Sequence, residues 1–86
     1  MRKSIHSSQY RLLLELLLTA RSRAGLTQIQ LAKRLRITQS SVSKVERGER
    51  RLDVIELHQW CAALRLPFIE FARQLDDRIR GTESRR

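Results

Sequence analysis

Residues 27–48, TQIQLAKRLRITQSSVSKVERG, constrain the fold more than any other stretch, because they hold two short helical patterns separated by a turn too tight to be a linker. Thr27 is a good N-cap, and Ile29, Leu31, Ala32 and Leu35 behind it fall on one apolar face at helical spacing. Thr38 is a second N-cap, followed by Val42 and Val45, with Ile37 in the turn placed to plug the gap between the two helices. Helices this short are not stable alone, so each must lean on other elements. The second one leaves Gln39, Ser40, Ser43, Lys44 and Arg47 outside, all hydrogen-bonding and none acidic. That is the inventory with which a helix reads base edges in a DNA major groove.

Charge points the same way. Residues 1–51 hold 12 Lys and Arg against 3 acids, a net of +9, whereas residues 52–86 hold 6 against 6 and are neutral. The whole basic excess therefore lies in the half with the helix pair, where it suits a polyanion whose counterions are released on contact. At 86 residues, with a single Pro and three Gly, the chain makes one helical domain with one modest core.

Other functions find little support. Cys61 is alone, which excludes an internal disulfide and a cysteine-based zinc site, and His6 and His58 have no metal-ligand spacing. We expect no cofactor or metal. There is no Gly-rich phosphate loop and no HExxH, and Asp76-Asp77 reads as an exposed helix end, so no enzyme is expected. Arg2 and Lys3 before the Leu12–Leu18 run imitate a signal peptide, but Glu15 interrupts the run and Leu18 spoils the cleavage site. No run reaches membrane-spanning length, and the expected location is cytoplasmic and nucleoid-associated.

The rest of the chain reads as three further helices. Ser7 or Ser8 caps one that runs to about Ala24, with Tyr10, Leu13, Leu14, Leu17, Ala20 and Ala24 inward and Gly25 as a left-handed terminator. Leu12 and Leu16 lie off that stripe, to be covered by the last helix or by a second subunit. Asp53 caps a helix to about Leu64 that buries Val54, Leu57, Cys61 and Leu64, with Trp60 at the border of the core. Pro67 opens a last helix at its N1 position, with Phe68, Phe71, Ala72, Leu75 and Ile79 as its stripe and Gly81 as its end. The domain organisation is thus a basic arm over 1–6, a domain over 7–80 and a polar tail over 81–86.

Several motifs in register, Gly25-Leu26-Thr27-Gln28, Leu31-Ala32, Thr38-Gln39 and Val45-Glu46-Arg47-Gly48, make Leu17 to Leu66 resemble the phage repressor and Cro-like (XRE) helix-turn-helix family. The resemblance implies an all-α, five-helix domain of the lambda-repressor type, with the helix from Thr38 to about Arg47 in the major groove. It implies that Arg21 and Glu46 form a structural ion pair, that Gln28 braces Gln39, and that Arg50 and Arg51 contact phosphates. Arg36 stands where the family usually has Gly, so a left-handed turn there would be strained. The expected DNA-binding residues are Thr27, Gln28, Thr38, Gln39, Ser40, Ser41, Ser43, Lys44, Arg47, Arg50 and Arg51. The expected function is a sequence-specific transcriptional regulator, a repressor acting as a homodimer on a pseudo-palindromic double-stranded operator. The alternative is an antitoxin or interaction module that binds a partner protein and uses DNA binding for autoregulation.

Overall fold

The computed structural model describes residues 7–83. The basic arm expected over 1–6, and residues 84–86 of the polar tail, lie outside the described residues. The elements are α1 (Ser8–Ala24), α2 (Gln28–Leu35), α3 (Gln39–Glu46), α4 (Val54–Ala63) and α5 (Phe68–Glu83). This is the expected all-α, five-helix architecture, and no strand occurs among the described residues. No described helix is long and apolar enough to cross a membrane.

The sequence supplies a starting residue for each of the first four helices. Ser7, Thr27, Thr38 and Asp53 accept side-chain bonds from the amides of Tyr10, Gln30, Ser41 and Glu56, each satisfying an amide that the helix itself cannot. Gln30 and Glu56 return bonds to the Thr27 and Asp53 amides, closing two capping boxes. Pro67 sits one place earlier than expected, outside α5, where its carbonyl accepts from the Glu70 and Phe71 amides.

The helix ends show where the turns are strained. Gly25 takes φ 72° at no steric cost, as its position requires. Arg36 adopts φ 60° and Arg65, at the end of α4, φ 57°, both left-handed without being glycine. Arg65 was not foreseen, since Leu64-Arg65-Leu66 carries no turn residue; the Leu66 amide bonds the Cys61 carbonyl and closes the turn from the helix side. Gly48 has φ 78° and lies against α1, where an added Cβ would stand 3.1 Å from Leu14 Cδ1.

One core joins all five helices: Leu17 of α1, Leu31 and Ala32 of α2, Val42 and Val45 of α3, Trp60, Cys61 and Leu64 of the α4 segment, and Phe71 of α5. Trp60 lies inside this core, only 3% exposed, not at its border. Burial pushes the Cys61 thiol up to about 11, so at neutral pH it is an inert apolar filler. Leu12 and Leu16 are half-buried, Leu16 packs against the core, and α1 packs against α5.

Some residues expected inside are not. Ile29 is 58% exposed because the two-turn α2 reaches the core only through Leu31, Ala32 and Leu35. Ile37 keeps 37% of its surface exposed and so fills the turn only in part, and Ala24 and Ala72 are exposed. Val54 is 62% exposed, since it begins α4 about two turns ahead of Cys61, beyond the end of the core. Gly81 does not end α5; the helix runs on to Glu83, and Thr82 Oγ1 donates to the Arg78 carbonyl. One glycine among helix formers costs only about 1 kcal/mol relative to alanine, too little to stop a helix by itself.

Candidate nucleic-acid interface

The interface begins with how α3 is held. Its inner side, Val42 and Val45, is fully buried against the core, which turns the opposite side to solvent. Gln39, Ser40 and Lys44 stand exposed there, and Ser43 is half-exposed. Ser41 is half-buried and shares a hydroxyl bond of 2.9 Å with Thr38, so both belong to the cap of α3. Thr27 and Gln28 occupy the start of α2, and together with Arg21, Gly25 and Gln39 they line one open recess. The start of α2 and the start of α3 therefore share a surface.

A hydrogen-bonded chain runs through this surface into the protein. Arg21 Nε and Nη2 donate to the Glu46 carboxylate at 2.7 and 3.1 Å, and Arg21 Nη1 donates to the Leu26 carbonyl at 2.9 Å. The Arg21 side chain is 20% exposed and that of Glu46 5%, so the pair is largely shielded and its geometry is the bidentate one. Gln28 Nε2 donates to the same carboxylate at 2.7 Å, and Gln39 Nε2 donates to Gln28 Oε1, also at 2.7 Å. The ion pair and the Gln28–Gln39 bond are the ones the family resemblance implied. The Gln28–Glu46 bond that joins them has no signal in the sequence, because it arises from the packing of the start of α2 against the end of α3.

The arginines after α3 are already engaged. Arg47 forks onto Glu49 with bonds of 2.8 and 3.1 Å and also donates to the Ser43 hydroxyl. That contact holds the Glu49 carboxyl below its ordinary range and raises Arg47, with the Lys44 charge acting on Glu49 in the same direction. Arg50 Nη2 donates to Glu56 at 2.6 Å, and the Arg51 guanidinium lies 4.5 Å from the centre of the Tyr10 ring. The Tyr10 hydroxyl in turn accepts from the Leu52 amide at 3.3 Å, pinning the loop after α3 to the start of α1. Glu49 and Glu56 went unnoticed as partners, although each stands two to six residues from the arginine it meets.

A different surface forms between α4 and α5. Val54, Ile55 and Ile69 are exposed, at 62%, 65% and 81%. An apolar groove of about 290 Å³ between these helices is lined by Leu57, Phe68, Phe71, Ala72, Leu75 and Ile79, with Asp76 also in its wall. Ile55 was missed because it lies off the buried stripe of its helix, and nothing in the pattern distinguishes it from an ordinary solvent-facing residue.

A family model described as helix-turn-helix matches residues 17–71. Among solved structures, an XRE-family like protein from Pseudomonas syringae pv. tomato str. DC3000 is 48% identical, with 85% of this chain and 89% of that one covered at a TM-score of 0.80. A mutant of the restriction-modification controller protein C.Esp1396I is 23% identical, covering 85% and 92% at 0.77. The clp gene regulator ClgR from Corynebacterium glutamicum is 20% identical, covering 92% and 84% at 0.75. The last two show likeness of fold. No curated protein matches the sequence.

Proposed function

This chain belongs to the XRE-type helix-turn-helix family of DNA-binding regulators, and from that premise we propose that it is a repressor that occupies a pseudo-palindromic operator as a homodimer. The observation that carries this reading is the outward face of α3, where Gln39, Ser40, Ser43 and Lys44 stand together without an acid. In a module of this kind the second helix enters the major groove and the first crosses the backbone. Gln39 then meets an adenine edge and Lys44 a guanine edge, while Ser40 and Ser43 allow close approach. Thr27 and Gln28 stand at the positive end of α2, where the helix dipole and the backbone amides that the capping box leaves open suit a phosphate.

Arg47, Arg50 and Arg51 complete the contact. The Arg47 fork and the single Arg50 bond exchange the carboxylates of Glu49 and Glu56 for phosphate oxygens. Solvent screens pairs as exposed as these, so the exchange is inexpensive. The restriction-modification controller and the clp gene regulator, similar in fold, are regulators by name, which supports a regulatory role without specifying this chain's target.

Two recognition helices are needed to read a genomic site, and the apolar α4–α5 face supplies a surface for pairing two copies. Half-sites then lie about 34 Å apart, one helical turn. Action is by occupancy rather than catalysis, in the cytoplasm on the nucleoid. The same apolar face also serves the second reading, an antitoxin that neutralises a partner protein; a stable complex with the product of an adjoining gene would favour it. Sedimentation equilibrium on a duplex from the gene's own upstream region, paired with transcription in vitro, tests the first. Two chains per duplex and a loss of transcript are expected; one chain per duplex, or no effect on transcript, contradicts it.

A further inference from the structure

Gln39 is useful as a base reader only if its amide faces a known way round, because its oxygen accepts and its nitrogen donates. We propose that Glu46 fixes that direction from inside the protein, so that Arg21 and Glu46 are positioning residues for base recognition as well as a structural pair. The inference rests on the reading of α3 as a recognition helix.

A carboxylate held by a guanidinium only accepts, and Glu46 Oε1 takes bonds from both Arg21 Nη2 and Gln28 Nε2. Gln28 must therefore turn its nitrogen inward and its oxygen outward. That oxygen only accepts, so Gln39 must turn its own nitrogen toward Gln28, as it does at 2.7 Å. One buried charge thus orders two amides in succession. What remains on Gln39 is one N–H on the side of α2 and a carbonyl oxygen on the side away from it.

With α2 across the backbone, the N–H lies on the strand side of the groove and the carbonyl toward its centre. A purine presents N7 near its own backbone and its 6-substituent toward the centre. Adenine fits, with N7 accepting and N6–H donating. Guanine places O6 against the Gln39 carbonyl, and an inverted pair places thymine O4 there. The relay therefore selects adenine on one strand at one position.

Glu46→Gln tests this directly, because an amide at 46 can donate to Gln28 and reverse both amides, leaving Gln39 with donors toward the groove centre. The protein, its variants and a randomised duplex pool are taken through binding selection and sequencing. Wild type is expected to enrich adenine about tenfold at one position that Gln39→Ala flattens. Glu46→Gln, shown to be folded by circular dichroism, is expected to lose that enrichment or shift it toward guanine or thymine, with the other positions kept. A folded Glu46→Gln that still enriches adenine overturns the proposal. If it does not fold, Gln28→Met decides, since it leaves the Arg21–Glu46 bridge in place: loss of adenine at that position alone supports the relay, and retention overturns it. A wild type that enriches a sequence with no Gln39-dependent position overturns the relay only. One that enriches nothing overturns the repressor reading too.

Discussion

The α2–α3 pair and the α4–α5 pair pack on the same core, yet what they leave outside is opposite in kind. The first presents amides, hydroxyls and cations, many of them bonded to one another before any partner arrives. The second presents isoleucine, valine and an open apolar groove. The difference teaches that polarity of the outward face, more than the packing beneath it, separates a surface suited to nucleic acid from one suited to another protein.

The strongest way to break the comparison is at its shared base. Phe71 is fully buried and belongs to the same core as Leu17, Leu31 and Val42, so Phe71→Ala should cost about 3–5 kcal/mol. Urea unfolding followed by circular dichroism and by Trp60 fluorescence should shift together. If only the Trp60 signal moved, the two pairs would rest on separate cores.

A smaller effect is expected at the ion pair. Arg21→Met leaves the Glu46 carboxylate buried with Gln28 as its remaining side-chain donor. Breaking a fully buried pair costs about 3–5 kcal/mol; because Arg21 is one-fifth exposed, we expect roughly 2–3 kcal/mol, or a melting point lower by roughly 10–20 °C. A loss under about 0.5 kcal/mol would make the pair an ordinary surface contact.

The apolar face can be tested without touching the polar one. A double Ile55→Glu, Ile69→Glu variant should weaken self-association at least about tenfold, roughly 1.4 kcal/mol, while the monomer keeps its fold, since both side chains are exposed. Unchanged sedimentation behaviour would remove this face from the dimer.

The smallest expected effect compares two turns, one in each region. Arg36→Gly and Arg65→Gly each relieve a left-handed arginine and should stabilise by about 0.5–1 kcal/mol, read as a raised melting temperature. If Arg36 also meets a phosphate, its variant alone should weaken DNA binding and reduce the salt slope by about 1. Equal effects of the two on DNA would mean that neither turn belongs to the interface.

Much of this was readable in the chain because caps and apolar spacing act locally. Thr27, Thr38 and Asp53 start their helices, and Leu17, Val42, Cys61 and Phe71 lie where the spacing puts them. What the pattern misjudged depends on how far the core extends: Ile29 and Val54 fall on the right faces but at helix starts that nothing covers, and Trp60 is deeper than its edge position implied. Arg65 was hidden because no turn residue marks it: the Leu66 amide closes the end of α4 onto the Cys61 carbonyl. In the candidate site, the resemblance supplied Arg21–Glu46 and Gln28–Gln39. The bond between them, and the Arg47–Glu49 and Arg50–Glu56 pairs, depend on side-chain directions that spacing does not encode.

The most direct test of the account is a binding titration of wild type and a Gln39→Ala, Lys44→Ala variant on a fragment of the gene's own upstream region and on random DNA, across several salt concentrations. The account predicts that wild type prefers its own fragment and that the variant loses this preference while keeping a steep salt dependence. If both proteins bind both DNAs alike, or scarcely bind, then the outward face of α3 does not read bases, and the basic half must serve a nonspecific or protein-facing role.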